Sequence, residues 1–364
     1  MLKKSDKKWN IGWGFETRCN MNCEFCYSRE VRKIEKHIDI NSCKSFIIKN
    51  HEYISSINYG TGENSLSKDW FELVEFIGKN YPNIKQALTT NGHIALTCKD
   101  TNNLKIFTNY IDEVDISLDF YNPERHNAFR GNKNAFKMAI KSFEICTKYD
   151  KKATLVFLGT NEVMQIDNLT GLFEIAKHYN AYLRSNIYRP TLGVNKQSQK
   201  FILEYITLIN ALNWISNTHQ IIRISDCLLA STMFGEKVDD LSGYSSIRIL
   251  GDGSITPSTY LISKNYRKYN IINEIDISNI NFDDKINRNC IPKECIKCKY
   301  VESCKGGVID RRLLWYGSLQ VRDPYCPLRY SPQALPQFTI KKKMWSLIQF
   351  MMIICLPCFL SINN

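Results

Sequence analysis

Three cysteines lie close together near the start of the chain, as Cys19-x3-Cys23-x2-Cys26, followed by Tyr27. Three thiolates on one tight loop can hold three irons of a 4Fe-4S cube and leave the fourth iron open as a binding site. A three-cysteine zinc site with a distant fourth ligand is the other reading of that spacing. A second constellation, Cys295-x2-Cys298-x5-Cys304, is closed by Cys326 in the segment Asp323-Pro324-Tyr325-Cys326-Pro327. Four thiolates complete a coordination set, so a metal there would be saturated, either as a zinc ribbon or as an iron-sulfur cluster. Between the two constellations, Gly60-Thr61-Gly62-Glu63 offers glycines for close backbone approach and a carboxylate able to accept from an ammonium.

Such residues need a scaffold to bring them together. Short β-rich runs at 10–16, 54–59, 85–90, 113–118, 153–158 and 182–188 alternate with segments of helical period. That alternation predicts right-handed βαβ units and a parallel sheet curled toward a barrel, with ligands gathered at the carboxyl ends of the strands. The first cysteine loop and the Gly-rich tetrapeptide both follow strands directly. Beyond about residue 225 the alternation stops, and the stretch from Cys290 to Cys326 predicts a small, loop-rich unit whose core is too thin to stand without a metal staple. The expected fold class is α/β: a partial (β/α)6 TIM-like barrel over residues 1–225, a small C-terminal domain over 226–335, and a basic linker with an apolar tail over 336–364.

Composition narrows the classes. The 364 residues include 14 Cys, 18 Phe, 19 Tyr and 6 Trp, which excludes disorder, collagen and simple coiled coil. No apolar segment follows the charged N-terminus MLKKSDKKWN, so no secretory signal is expected. A cytoplasmic chain keeps its thiols reduced, and clustered cysteines then read as metal ligands before disulfides. Cys43, Cys98 and Cys146 fall in expected helices or at their edges and read as packing residues.

With these motifs at these places, the chain resembles the radical S-adenosylmethionine (SAM) enzymes. The resemblance implies that Cys19, Cys23 and Cys26 hold a 4Fe-4S cluster whose open iron binds SAM, and that reductive cleavage of SAM yields a radical that abstracts hydrogen from substrate. It also implies that Gly60, Gly62 and Glu63 receive the methionine amino group, that Tyr27 lies near the adenine, and that Ser117 contacts the ribose or carboxylate. Asp119 reads equally as a structural cap, and Thr160-Asn161 and residues 184–189 occupy places where other members contact SAM or substrate. The C-terminal unit resembles the SPASM or twitch extension, which implies an auxiliary 4Fe-4S cluster on Cys295, Cys298, Cys304 and Cys326. A full SPASM domain carries two auxiliary clusters, and two ligands of the first are missing here: Val308 and Ser258 stand where it needs cysteines. One auxiliary cluster is therefore expected, with Cys227 and Cys290 left as extra ligands, hydrogen donors or core thiols. Sulfatase-maturing relatives place an Asp where this chain has Thr259, so a close copy of that subgroup is not expected.

The resemblance points to a peptide maturase that acts on a ribosomally made precursor, making a thioether or carbon-carbon crosslink or epimerising a residue. A radical SAM enzyme acting on a small molecule or cofactor precursor, and a non-catalytic metal-binding regulator, are the alternatives. An electron donor such as flavodoxin or ferredoxin is implied as a partner. Fewer than ten residues precede the first expected strand, so peptide recognition is expected from the barrel mouth, the basic C-terminal unit or a separate leader-binding protein. Residues 285–343 hold 13 Lys+Arg against 4 Asp+Glu, most of the net charge of +12. An acidic leader peptide, an anionic membrane or plain solvation would each suit that surplus, and nucleic acid is not expected. The uncharged run 344–362, preceded by Lys341, Lys342 and Lys343, is just long enough to span a bilayer, although Gln349 and Pro357 interrupt it.

Overall fold

The computed structural model describes residues 7–29, 31–33, 37–330, 335–340 and 351–354. Six short strands run parallel and side by side in chain order: β1 (Trp9–Trp13), β2 (Ile54–Tyr59), β3 (Lys85–Thr90), β4 (Glu113–Ser117), β5 (Lys152–Gly159) and β6 (Tyr182–Ile187). All six expected strands are present, and the expected α/β partial barrel is the one observed. Helices cover its outer face. Their starts follow local chemistry: Asp39, Ser67, Asp100 and Asn122 each accept a first-turn N–H, from Ser42, Trp70, Asn103 and Arg125. Trp9, Ile11 and Trp13 of β1 point into the core between helices and sheet, where Trp13 meets Phe46 edge-on with ring centroids 5.8 Å apart. Cys43, Cys98 and Cys146 are buried in that same core.

The inner face is polar, because the strand period of two turns alternate residues into the lumen. Ser56 and Asn58 of β2, Thr89 of β3, Asp115 of β4 and Arg184 of β6 line it. They form a hydrogen-bonded chain across the strands: Thr89 Oγ1 donates to Asn58 Oδ1 at 2.8 Å, Asn58 Nδ2 to Asp115 Oδ2 at 3.3 Å, and Arg184 Nη2 to Asp115 Oδ2 at 2.7 Å.

Five further strands were not anticipated: β7 (Gln220–Ile224), β8 (Ser246–Ile249), β9 (Ser254–Thr256), β10 (Tyr269–Asn270) and β11 (Met351–Ile354). β8 pairs parallel with β1, placing Arg248 opposite Gly12, and β9 and β10 continue the sheet antiparallel. Strand pairing thus outlasts the strand-helix alternation. At four residues, all buried, β8 is too short for periodicity to reveal. β11 lies parallel between β6 and β7, and the rest of the 344–362 run lies outside the described residues. Among the described residues, no helix is long and apolar enough to cross a membrane.

Between residues 285 and 330 regular structure is limited to short pieces, chiefly the helices Val301–Cys304 and Ile309–Tyr316. At the centre of this unit is a charge. Arg311 is fully buried and pairs with Asp226 Oδ2 and Asp323 Oδ2, each at 2.7 Å. Asp226 also caps the helix Cys227–Met233, accepting from the N–H groups of Leu228 and Leu229. Asp323 also accepts from the N–H groups of Val308 and Tyr325, both at 2.9 Å. One guanidinium therefore ties the end of β7 to the loops that carry Cys304 and Cys326. Arg312 is buried as well, against carbonyl oxygens of Cys290, Lys305, Leu319 and Val321. Part of the basic surplus is therefore internal structure, where sequence reasoning placed it on a surface.

Burial alone would raise the Asp226 carboxyl, but the Arg311 guanidinium outweighs it and holds the group below its ordinary value. A depressed carboxylate stabilises above its unfolded-state pKa and loses that contribution as pH falls through the folded-state value. Arg311→Met should strand both aspartates and destabilise the fold by about 3–5 kcal/mol. Urea unfolding at pH 7 checks this, and a change within about 1 kcal/mol would exclude the pair as the joint.

Candidate active site

The first cysteine loop has no regular structure and hangs from the ends of β1 and β2. Glu63 N donates to Arg18 O at 2.8 Å, and Glu16 N donates to Asn64 Oδ1 at 3.1 Å. The contact is close because of Gly62, at φ +61, where a Cβ would stand 2.2 Å from Glu16 O and 2.6 Å from Arg18 O. Only glycine fits both that backbone and that space. Further on, Asn132 Nδ2 donates to Asn20 O at 3.0 Å, and Asn91 Nδ2 donates to Asn20 Oδ1 at 2.8 Å and reaches Cys19 Sγ at 3.5 Å.

Cys19, Cys23 and Cys26 line one cavity of about 170 Å³, together with Tyr27, Thr61, Gly62, Asn91, Ser117, Arg130, Asn186, Arg189 and Tyr260. Six expected site residues thus meet: the three cysteines, Tyr27, Gly62 and Ser117. Gly60 lies on the adjoining lumen cavity. Glu63 stands behind both, fully buried, with its carboxylate accepting from Ser65 Oγ at 2.7 Å, Thr90 Oγ1 at 3.0 Å and Asn91 N at 2.8 Å. Burial raises its carboxyl against those hydrogen bonds. In this arrangement Glu63 sets the loop that presents Asn91 to the cavity.

Burial also raises the thiol of Cys23, to about 11, with the Arg130 guanidinium opposing the shift. A thiolate there calls for a positive partner, which a cationic metal centre supplies. Arg130 is itself fixed by Asp119, its Nε 2.6 Å from Asp119 Oδ2, while Asp119 Oδ1 accepts from Leu158 N at 2.9 Å. Asp119 is therefore part of the cap on β4 and the anchor of a cavity-lining cation, the second being a link that sequence reasoning missed.

Cys295, Cys298, Cys304 and Cys326 line a second, much smaller cavity of about 20 Å³, with Leu228, Tyr300, Val301 and Leu328 around them. Short loop hydrogen bonds set each backbone, including Cys298 N to Cys295 O at 3.0 Å and Cys326 N to Asp323 O at 3.0 Å. Burial raises the thiols of Cys295, Cys304 and Cys326. A four-thiol donor set in a mostly apolar surround, with Glu294 and Arg322 also on the lining, suits a soft-ligand centre such as an iron-sulfur cluster. Among the described residues, no three His, Cys, Asp or Glu side chains are gathered closely enough for a single ion.

The two positions that break the cysteine pattern are occupied in a particular way. Val308 packs on Cys227, both buried. Ser258 Oγ donates to Asp310 Oδ2 at 2.9 Å, and Asp310 Oδ1 accepts from Arg189 Nε at 3.0 Å, all three residues being buried. Where a further cluster would need thiolates, the chain holds a closed polar lock between the end of β6 and the helix Ile309–Tyr316. Cys290 stays half-buried, its thiol donating to Leu319 O at 3.4 Å.

Comparison with known proteins agrees with this geometry. The chain is 23% identical over 352 residues to the mycofactocin maturase MftC of Mycolicibacterium smegmatis, covering 92% of this chain and 86% of that one. It is 24% identical over 205 residues, half of this chain, to the FeMo cofactor biosynthesis protein NifB of Methanocaldococcus infernus. Its fold matches Streptococcus suis SuiB bound to S-adenosylmethionine with a TM-score of 0.67 at 15% identity, covering 88% of this chain and 77% of that one. It matches anSMEcpe with bound AdoMet with a TM-score of 0.68 at 20% identity, covering 89% and 93%. Residues 15–169 match the profile of the Radical SAM superfamily, and with the thiol loop, strand ends and barrel in place, this stretch of the chain is a radical SAM domain.

Proposed function

We propose that the chain is a radical SAM enzyme that modifies a ribosomally made precursor peptide. The observation that carries this reading is the gathering of seven cysteines into two pockets of different size, three on a ligand-sized cavity of about 170 Å³ and four around one of about 20 Å³. When bound, a 4Fe-4S cluster and SAM supply reductive cleavage of the sulfonium and a radical that abstracts hydrogen from substrate. Cys19, Cys23 and Cys26 would hold the catalytic cluster, and Cys295, Cys298, Cys304 and Cys326 one auxiliary cluster. Gly60 and Gly62 let backbone approach SAM, Glu63 sets Asn91, and Ser117 and Tyr27 face the ligand. Tyr188 and Tyr260 stand on the wall of the cavity, and the Ser258-Asp310-Arg189 lock holds Arg189 of that wall in place.

Coverage supports a peptide substrate over a small molecule. The similarity to the mycofactocin maturase runs through the C-terminal cysteine unit, whereas that to NifB covers half of the chain. SuiB bound to the precursor peptide SuiA shares the fold with a TM-score of 0.68. The organisation we propose is a core over 1–225, an auxiliary-cluster domain over 226–335 and a tail over 336–364. An electron donor such as flavodoxin or ferredoxin completes the reading, in a reducing cytoplasm where clustered cysteines stay available as metal ligands.

After anaerobic reconstitution the protein should bind roughly eight irons per chain, four for each cluster. Iron for three clusters would refute the single auxiliary site, and zinc in both pockets would refute the enzyme. Cys23→Ala should abolish reductive SAM cleavage, read as 5'-deoxyadenosine by chromatography. Persistent cleavage would mean the active site lies elsewhere. Cys298→Ala should retain part of that cleavage yet lose the mass change on a precursor peptide encoded beside the gene.

A further inference from the structure

The charges that line the barrel lumen pair off, with one exception. Lys85 Nζ lies 3.5 Å from Asp112, Glu113 2.7 Å from Lys152 Nζ, and Asp115 2.7 Å from Arg184 Nη2. The remaining charge is Arg248, 4% exposed. Among the described residues its partners are hydroxyls: Nη2 donates to Thr61 Oγ1 and, at 3.4 Å, to Tyr27 OH, while Nε has no partner. The other buried guanidiniums differ. Arg184, Arg189 and Arg311 each face an aspartate, and Arg312 is wrapped in carbonyl oxygens. A buried cation without an anion is costly unless a ligand supplies one.

Two features of the chain keep that cation in the lumen. At Gly12, opposite Arg248 across the β1–β8 pair, a Cβ would stand 2.8 Å from Nη1 and 3.0 Å from Cδ, so a larger residue there would push the guanidinium aside. Thr61 adopts φ +105, a region that β-branched residues avoid, and its hydroxyl is the one Nη2 meets. Strain retained at a cavity wall is a mark of use there. Arg248 borders the lumen cavity of about 110 Å³ but not the thiol-lined cavity, so a ligand it holds lies in the lumen, next to the Tyr27 and Gly60 that line the same space. Asn186 borders both cavities, and its Oδ1 is a buried acceptor with no partner among the described residues, suited to a peptide N–H.

We propose that Arg248 receives a carboxylate of the substrate, with Asn186 accepting from an adjacent amide. The carboxylate comes either from an acidic side chain or from the peptide's own terminus. This rests on the peptide-modifying reading and names the chemistry of its substrate. The test uses the full chain and three small probes: N-acetylglutamine with a terminal carboxylate, N-acetylglutamic acid α-amide with a side-chain carboxylate, and neutral N-acetylglutaminamide. Dissociation constants come from ligand-observed NMR titration. At least one carboxylate should bind about tenfold more tightly than the neutral probe, the scale of a charge-assisted hydrogen bond. Whichever binds more tightly assigns the source. Arg248→Met should erase that preference, and Arg248→Lys should keep part of it. Equal binding of all three probes to the wild type, or a preference that survives in Arg248→Met, overturns the proposal. SAM cleavage by the wild-type enzyme is scored separately, so loss of the enzyme reading and loss of the carboxylate site are told apart.

Discussion

A charge taken out of water must be met by another charge or by oriented oxygens, and that constraint organises this molecule more than its apolar core does. Arg311 inside the C-terminal unit meets two aspartates, Arg189 meets Asp310, Arg184 meets Asp115, and Arg130 meets Asp119. Arg311 with Asp226, Arg189 with Asp310 and Arg184 with Asp115 join segments far apart in the chain, while Arg311 with Asp323 and Arg130 with Asp119 close shorter loops, and each lies beside a cavity or a cysteine loop. The pairs are fixed by geometry that an apolar contact would not impose, since a guanidinium donates along set directions. Positioning of the thiols is in this sense an electrostatic matter, even where the thiols themselves lie in apolar surroundings.

The two cysteine sites stand differently toward the fold. The first loop borrows its shape from the barrel: Gly62 presses on it from below, and Asn91 and Asn132 hold it from the side. The second is part of a unit with little regular structure, whose centre is the Asp226-Arg311-Asp323 triad. Its cavity is small, which suits a saturated centre. The first is open to a neighbouring space large enough for an organic ligand.

Much of this was legible in the residues. The six barrel strands show a clear alternation with helices, and the cysteine spacings mark their loops, because both signals are local. The strands β8, β9 and β10 were not legible, being too short to show a period, and they join the sheet only because β8 pairs with a strand more than two hundred residues earlier while β9 and β10 build on β8. For the same reason the sequence reading found Glu63 but not its duty to Thr90 and Asn91, and counted Arg311 and Arg312 as surface charge. Asp119 could be seen as a cap but not as the partner of Arg130. Val308 and Ser258 were legible as absences of sulfur. What replaced the sulfur, a methyl-thiol contact with Cys227 and a hydroxyl in an ion-pair lock, needed three dimensions.

The pairing of Gly12 with Arg248 has a consequence for how such a barrel can change. In a strand, shifting the register by one residue turns every side chain to the opposite face. With β8 moved by one position along β1, Ile247 or Ile249 would enter the lumen in place of Arg248, and the lumen would lose that cation without any change of composition. The turns around β8, where Gly243 N donates to both Ser246 O and Pro257 O, hold that phase. Loop length before β8 is therefore a heritable switch of lumen chemistry, open to single-codon insertions that leave every cysteine and every core residue untouched.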